Sequence, residues 1–524
     1  MPRLYLGLDS STQSLSATVI DLDSRRVVHE ESLSFDETLP DYGTENGVLR
    51  DTEPQVVHSP PLMWVEALDV LFERLQQSGV ELADILAVSG SGQQHGSVYL
   101  NDSAPAALEG LDPSASLKEQ LSGIFSRETS PIWMDSSTEE ECEEIQEALG
   151  GMQATAEKVG SAAFERFTGP QIRKLYKNDP DAYADTAHVA LVSSFMASIL
   201  AGRIAPIDHG DGAGMNLMDI HGKTWHPEAL EATAPNLAEK LPALAPSARI
   251  VGAVSSYFAE KYGLNPEART LVWSGDNPNS LIGVGLVKPG MVAISLGTSD
   301  TYFGFMKKCH TDPHGEGHVF GAPTGDYMTL ICFKNGSLAR ERIRDKYGYD
   351  WEEFAAALGR TPAGNDGAIM LPYFEPEIVP KVLEPGVHRF DLDEDDADAN
   401  CRAVVEAQMM SMRIHSEWMG RSPSEIYATG GASANEAILQ VMADVHKCPV
   451  YRFEVSNSAA LGAALRAAQA ALEEAGTPAE WEEVVEGFTD PVPGSRIDPN
   501  PDATLVYDGM VVDYAECEKE VLGR

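Results

Sequence analysis

Two distant stretches of this chain share one pattern. Residues 4–20 read LYLGLDSSTQSLSATVI, and residues 291–306 read MVAISLGTSDTYFGFM. In each, an apolar strand runs into a small polar turn carrying Thr and Ser, and an apolar strand returns. A repeat at this position suggests two domains of like topology, joined near residues 270–290. The 524 residues are enough for both. Between the repeats, strands alternate with helical stretches, so the class is α/β. SPPLMWVEALDVLFERLQQSG opens on two prolines, keeps an apolar spacing near 3.6 and ends at Gly79, as a helix does. DILAVSGSGQQHGSVYL reads as strand, glycine loop, strand.

The turns suggest chemistry. Ser11, Thr12 and Gln13 offer hydroxyls and several backbone N–H groups in a small concavity, a nest suited to phosphate. The carboxylate of Asp9 just before it could hold a magnesium ion against that phosphate. A single such hairpin also suits an ordinary polar turn. The second copy, with Gly297, Thr298 and Ser299, favours two hairpins facing one polyphosphate across a cleft. The copies are not identical, because Ser295 or Leu296 stands where Asp9 does.

Other segments carry a functional and a plain reading side by side. In SGDNPNS, Asp276 ends a buried strand and precedes Asn277 at a helix start. There a carboxylate could take a proton from a substrate hydroxyl, or simply cap the helix. GSGQQHG places Gln93, Gln94 and His95 after a strand. It misses the dinucleotide fingerprint because His95 takes the third glycine's place, and it suits a polyhydroxylated ligand better. ATGGASANE reads as a glycine turn before a helix, open to close approach by a ring or phosphate. HGKT lacks the first glycine of a Walker loop, so it reads as a turn. CHTDPHGEGH has no tetrahedral spacing and reads as a loop.

The charge balance excludes some partners. With 81 acidic and 38 basic residues, net −43, the surface repels nucleic acid and anionic lipid. Scattered acidic runs read as solvated faces, and an excess this large suggests a salt-loving source. Six widely spaced cysteines form no C-x-x-C pair and suit a reducing compartment. No leader and no membrane span is expected, so a cytoplasmic enzyme is.

Taken in order, GLDSSTQSL, SGSGQQHGSVY, PIWMDSST, ERFTGPQI, SGDNPNS, SLGTSD, CFKNGSLARE, ATGGASAN and NSAALGAA resemble the FGGY family of carbohydrate kinases. The resemblance runs from about Leu4 to Leu472 and is strongest toward the longer xylulose-phosphorylating members. It implies two actin-like (ribonuclease H-like) ATPase domains with a deep cleft. The expected division is 1–275, holding sugar, and 276–524, holding nucleotide, with an acidic extension from about 475.

The resemblance also implies roles. Asp276 is the catalytic base at the sugar 5-hydroxyl. Gln94, His95, Arg166 and Asn277 join Asp276 in holding the sugar. Asp9 stands near Mg2+. Ser11, Thr12 and Gln13 form the first phosphate loop, and Gly297, Thr298 and Ser299 the second. Gly430, Gly431 and Asn435 form the adenosine pocket, with Trp351 as an aromatic wall. ATP and Mg2+ are the implied cofactors, a ketose the partner, and a homodimer stays open. Three departures from the family pattern stand out: Ser11 replaces a family glycine, which implies a shifted backbone without loss of function; Lys177 stands in a usual tryptophan position, which bears on specificity; and no arginine follows Asp135. The expected reaction is phosphorylation of D-xylulose. A kinase for ribulose, glycerol or gluconate, and an actin-like ATPase or regulator, are the alternatives.

Overall fold

Alternation along the first strand sets the layering of the first half. We describe the fold from a computed structural model, which covers residues 3–50, 52–454 and 457–523. In Leu4–Ser10, the side chains of Leu4, Leu6 and Leu8 enter a core with Trp64, Leu68, Leu71 and Phe72 from the helix Pro61–Gln77. Tyr5, on the other face, packs with Leu461, Ala464, Leu465 and Ala468 from the helix Ser458–Glu474. A period of two thus places one helix on each side of the sheet.

The chain forms two compact units. The first comprises Met1–Val287, Val319–Met328 and Val455–Thr489. Its sheet has the strand order Ile250–Ala253, Arg269–Leu271, Ile85–Gly92, Leu4–Ser10, Ser14–Asp21, Arg26–Ser34, with Ser274–Gly275 also paired to Ile85–Gly92. A second core in this unit gathers Tyr99, Ile145, Ile172, Leu175 and Leu217 from a helical region.

The second unit comprises Lys288–His318, Thr329–Glu454 and Asp490–Arg524. Five strands of the sheet built there run in the order Tyr327–Phe333, Asp300–Met306, Met291–Leu296, Glu425–Thr429, Val450–Arg452. The repeat seen in the sequence is a repeat of pairing. Leu4–Ser10 is antiparallel to Ser14–Asp21 and parallel to Ile85–Gly92. Met291–Leu296 is antiparallel to Asp300–Met306 and parallel to Glu425–Thr429.

A single division at residues 275 and 276 does not describe these units. Asp276 and its helix Asp276–Gly283 stay with the first, because Ser274–Gly275 extends the first sheet. The helix Ser458–Glu474 returns to the first unit from far along the chain. The stretch after residue 475 is also shared: residues up to Thr489 join the first unit, and the helix Pro501–Leu522 joins the second. No helix among the described residues is long and apolar enough to cross a membrane.

Glycines explain how Ser458–Glu474 seats so closely. A Cβ on Gly7 would lie 1.9 Å from Ala460 O, one on Gly283 1.9 Å from Ser458 O, and one on Gly462 1.9 Å from Asn279 O. Backbone therefore meets backbone on two sides of this helix. Within the interface Arg466 is buried and donates to Asn279 Oδ1 at 2.9 Å, Ser247 O at 2.9 Å and Val272 O at 3.0 Å. Overpacking at such a contact costs about 1–3 kcal/mol or more. Gly462→Ala is therefore expected to lower stability by at least that amount in denaturant unfolding, although alanine is the better helix former. A stabilised variant would contradict this account of the packing.

Candidate active site

Three parallel strand ends make the site of the first unit. Ser10 lies opposite Gly92, and Gly92 opposite Gly275. The residues just before or beyond this row, Asp9, Gln93–His95 and Asp276–Asn277, therefore meet at one edge of the sheet, where open α/β sheets bind ligands.

Asp9 and Asp276 are half-buried and close enough to repel. Burial pushes Asp276 up to about 7, and the charge of Asp9 adds to this, while the backbone N–H groups of Asn277 and Gln94 pull the other way. Asp276 Oδ1 accepts from Asn277 N at 2.8 Å and Asn277 Nδ2 at 3.1 Å. Asn277 Nδ2 also donates to Gln94 Oε1 at 2.8 Å. Burial raises Asp9 to about 6. Asp9 Oδ1 is enclosed and has no hydrogen-bond partner. An enclosed, unsatisfied carboxylate oxygen is the kind of hard donor a divalent cation takes.

His95 is held in one state. Its φ of 72° lies in the left-handed region, uncommon for a residue with a side chain. Thr168 Oγ1 donates to His95 O at 3.0 Å, and Phe167 stacks on the ring with centroids 4.3 Å apart. Burial pushes His95 down to about 3, and the charge of Arg166 acts in the same direction. The ring is neutral near pH 7. Its Nδ1 lies 2.8 Å from the carbonyl of Gly214, which requires Nδ1–H as donor and leaves Nε2 as acceptor. A hydroxyl is the natural partner for that nitrogen. The guanidinium of Arg166 lies 5.3 Å from the Phe164 ring and 5.7 Å from the Phe167 ring.

The first turn is locked from several directions. Ser11 N donates to Ser14 O at 3.0 Å, and Ser11 Oγ lies 2.9 Å from Ser14 Oγ. The carbonyl of Gln13 accepts from Phe35 N at 2.9 Å. Trp133 Nε1 donates to Thr12 Oγ1 at 2.8 Å, although the indole is 45% exposed. Trp133 was not among the residues expected from sequence. Asp135, next along but one, is buried and accepts from Val57 N at 2.9 Å, Ser137 N at 3.0 Å and Gln171 Nε2 at 2.7 Å. Burial would raise its pKa, but these donors and His58 hold it well below the ordinary carboxylate range. Its oxygens are engaged in scaffolding.

Two further acids lie beneath Asp276. Asp208 accepts from Gly210 N at 2.8 Å and from the hydroxyls of Ser247 and Ser274. Asp211 accepts from Ser193 Oγ, while its Oδ1 is enclosed without a partner. Burial raises Asp211 well above the ordinary range, and Asp208 and Asp276 add to it. A Cβ on Gly275 would lie 2.9 Å from both Asp211 Oδ1 and Gln94 Cγ, so that glycine lets the layers pack. The alternation of acids and glycines in DHGDGAG is the only sequence sign of this arrangement.

The second unit has its own site. Gly297, Thr298 and Ser299 form the turn between Met291–Leu296 and Asp300–Met306. Asp300 and Arg340 anchor it from below by a buried two-pronged pair, at 2.8 and 3.0 Å. Ser337 N donates to Gly297 O at 2.8 Å. A cavity of about 730 Å³ is lined by Ser337, Glu341, Trp351, Gly431 and Asn435 among others. Gly430, with φ 83°, sits where a Cβ would be 2.6 Å from Leu296 O, which ties the glycine turn to the end of the strand leading to Gly297. Asn435 caps the helix Glu436–His446. The Arg344 guanidinium lies 4.4 Å from the Trp351 ring.

Asp9, Ser11, Thr12, Gln13, Gln94, His95, Arg166, Asp276 and Asn277 thus all belong to the first unit. Gly297, Thr298, Ser299, Trp351, Gly430, Gly431 and Asn435 all belong to the second. His221–Lys223 of HGKT form a turn, and residues 309–317 of CHTDPHGEGH lie outside helix and strand; among the described residues no group of three or more His, Cys, Asp or Glu could hold a metal by itself.

Known proteins resemble this chain along its whole length. The N-terminal domain model of the FGGY family of carbohydrate kinases matches residues 129–283, and the C-terminal domain model matches 292–471. A xylulose kinase of Rattus norvegicus is 44% identical over 100% of this chain and 98% of its own. The crystal structure of a xylulose kinase from Rhodospirillum rubrum aligns with a TM-score of 0.82 at 20% identity, covering 99% of each chain. That of a gluconate kinase from Lactobacillus acidophilus aligns with a TM-score of 0.82 at 18% identity, covering 100% of this chain and 98% of that one. The two structures agree on the fold and not on the sugar. The family models and the long, close match to the rat protein together show that this chain belongs to the FGGY family of carbohydrate kinases.

Proposed function

We propose that this protein is an ATP-dependent sugar kinase that phosphorylates the 5-hydroxyl of D-xylulose. The observation that carries the chemistry is Asp276, a half-buried carboxylate near pKa 7 set among hydrogen-bonding side chains. The sugar is supported by the full-length match to a xylulose kinase.

Each group has a part in this reading. His95 Nε2 accepts from a sugar hydroxyl. Asn277, Gln94 and Arg166 fix the orientation of the ketose, so that O5 meets Asp276. Asp276 takes the O5 proton as the bond to phosphorus forms. Asp9 fits Mg2+ through its unpartnered oxygen, and the ion, when bound, would neutralise charge on the phosphates. In the second unit, Trp351, Gly430, Gly431 and Asn435 hold the nucleoside. The N–H groups of Gly297 and Ser299 and the hydroxyl of Thr298 balance charge on the transferring group. Six free thiols support work in a reducing cytoplasm, and the net charge of −43 supports work at high salt.

ADP release from ATP·Mg should depend on D-xylulose by a wide margin over D-ribulose, L-ribulose, glycerol, gluconate and no sugar. Asp276→Asn should keep D-xylulose binding and reduce turnover about 10²–10⁴-fold. Preference for another polyol would move the substrate, and sugar-independent hydrolysis would favour an ATPase or regulator instead.

The same carboxylate has a cost in stability. Its folded pKa lies above the unfolded value, so the native state binds the proton more tightly between about pH 4 and pH 7. The penalty for ionising it grows through that window and is complete above about pH 7. Asp276→Asn should therefore be more stable than the natural protein, with a difference in Tm larger at pH 8 than at pH 5. An equal difference at both pH values would contradict the raised pKa.

A further inference from the structure

One concavity in the second unit has no part in the reading above. It lies at the far end of the strands that carry the Gly297–Ser299 turn. Met291–Leu296 starts beside it and ends at the turn, and Asp300–Met306 returns to it. Strand rise of about 3.3 Å per residue puts roughly 20 Å between the two ends. The cavity has a volume of about 180 Å³ and shares no lining residue with the nucleotide cavity.

Its two parts differ in chemistry. Val292, Phe305, Met306 and Met419 are buried and form an apolar floor. Lys307, Lys308, His310 and Arg421 stand exposed around the rim. No carboxylate is among its lining residues. This runs against the composition, since acids outnumber bases 81 to 38. Lys307–Lys308 is also the one Lys-Lys pair of the chain.

A surface with this net charge repels anions at long range, so an anion is held only where local cations outweigh that field. Neighbouring cations also repel each other, and a bound anion relieves this. Lysine meets a phosphate as a point charge, and arginine meets it with a fork of donors. The volume exceeds what phosphate alone fills, and the floor offers carbon a dry contact.

We propose that this concavity binds a phosphate monoester of a small metabolite, with the phosphate on the Lys308–Arg421 rim and the carbon body on the Val292–Met419 floor. The inference does not depend on the reaction proposed above.

Calorimetric titration of the full chain tests it with ribose 5-phosphate, inorganic phosphate and ribose, in parallel with Lys308→Glu/Arg421→Glu. The natural protein should bind ribose 5-phosphate more tightly than inorganic phosphate, and ribose not at all. The double variant should bind the ester at least tenfold more weakly, with kinase turnover and Tm unchanged. Raising KCl from 0.1 to 1 M should weaken binding to the natural protein, as the screening length falls from about 10 to about 3 Å. Equal affinity in the double variant, or no binding at millimolar ester, would overturn the site. Equal binding of inorganic phosphate and ester would overturn the ester assignment. Should the double variant fail to fold, the exposed single change Lys308→Gln replaces it, with at least a threefold loss expected and none overturning the site.

Discussion

Burial of two neighbouring carboxylates at the end of one sheet is the constraint on which the first unit turns. The register of Leu4–Ser10, Ile85–Gly92 and Ser274–Gly275 brings Asp9 and Asp276 to the same edge. Neither has an opposing cation in salt-bridge contact among the described residues, and burial raises both. Such an arrangement does not favour folding. The proposed reaction would account for it: a base near pKa 7 is matched to proton transfer at neutral pH, and the unsatisfied oxygen of Asp9 would suit a cation.

The surroundings hold that arrangement in place. Asn277 and Gln94 tie the Asp276 carboxylate to the QQH loop, Phe35 ties the first turn to the next helix, and Trp133 ties it to a segment far along the chain. Behind them, Gly7, Gly283 and Gly462 bring the helix Ser458–Glu474 into backbone contact with the first strand and the helix that bears Asp276. Arg466 fills the remaining polar space with bonds to four partners, including Asn279 on that same helix. The placement of Asp9 and Asp276 thus rests on packing between residues about 450 positions apart, such as Gly7 and Ala460.

Local patterns were readable before the structure was known. Apolar runs at 4–8 and 291–296 marked the repeated hairpins, and the small polar residues between the strands marked their turns. The GDN and GG segments were legible because strand, turn and helix start succeed one another within ten residues. Long-range choices were not. An alanine-rich stretch at 458–474 announces a helix but not which sheet it covers, so its return to the first unit could not be read. Trp133 meets Thr12 across 121 positions, and Asp211 meets Asp276 only through the fold. The scaffolding use of Asp135 depends on Val57 and Gln171, which no local pattern connects to it. The names of particular sites came from the family resemblance, whereas their charge states came from burial.

The most direct test of the central claim is a crystal structure of the protein with D-xylulose, Mg2+ and a non-hydrolysable ATP analogue. The account predicts O5 of the sugar within about 3 Å of an Asp276 carboxylate oxygen, hydrogen-bond reach for a general base. A sugar bound with O5 facing another residue, and Asp276 beyond reach of any hydroxyl, would contradict it.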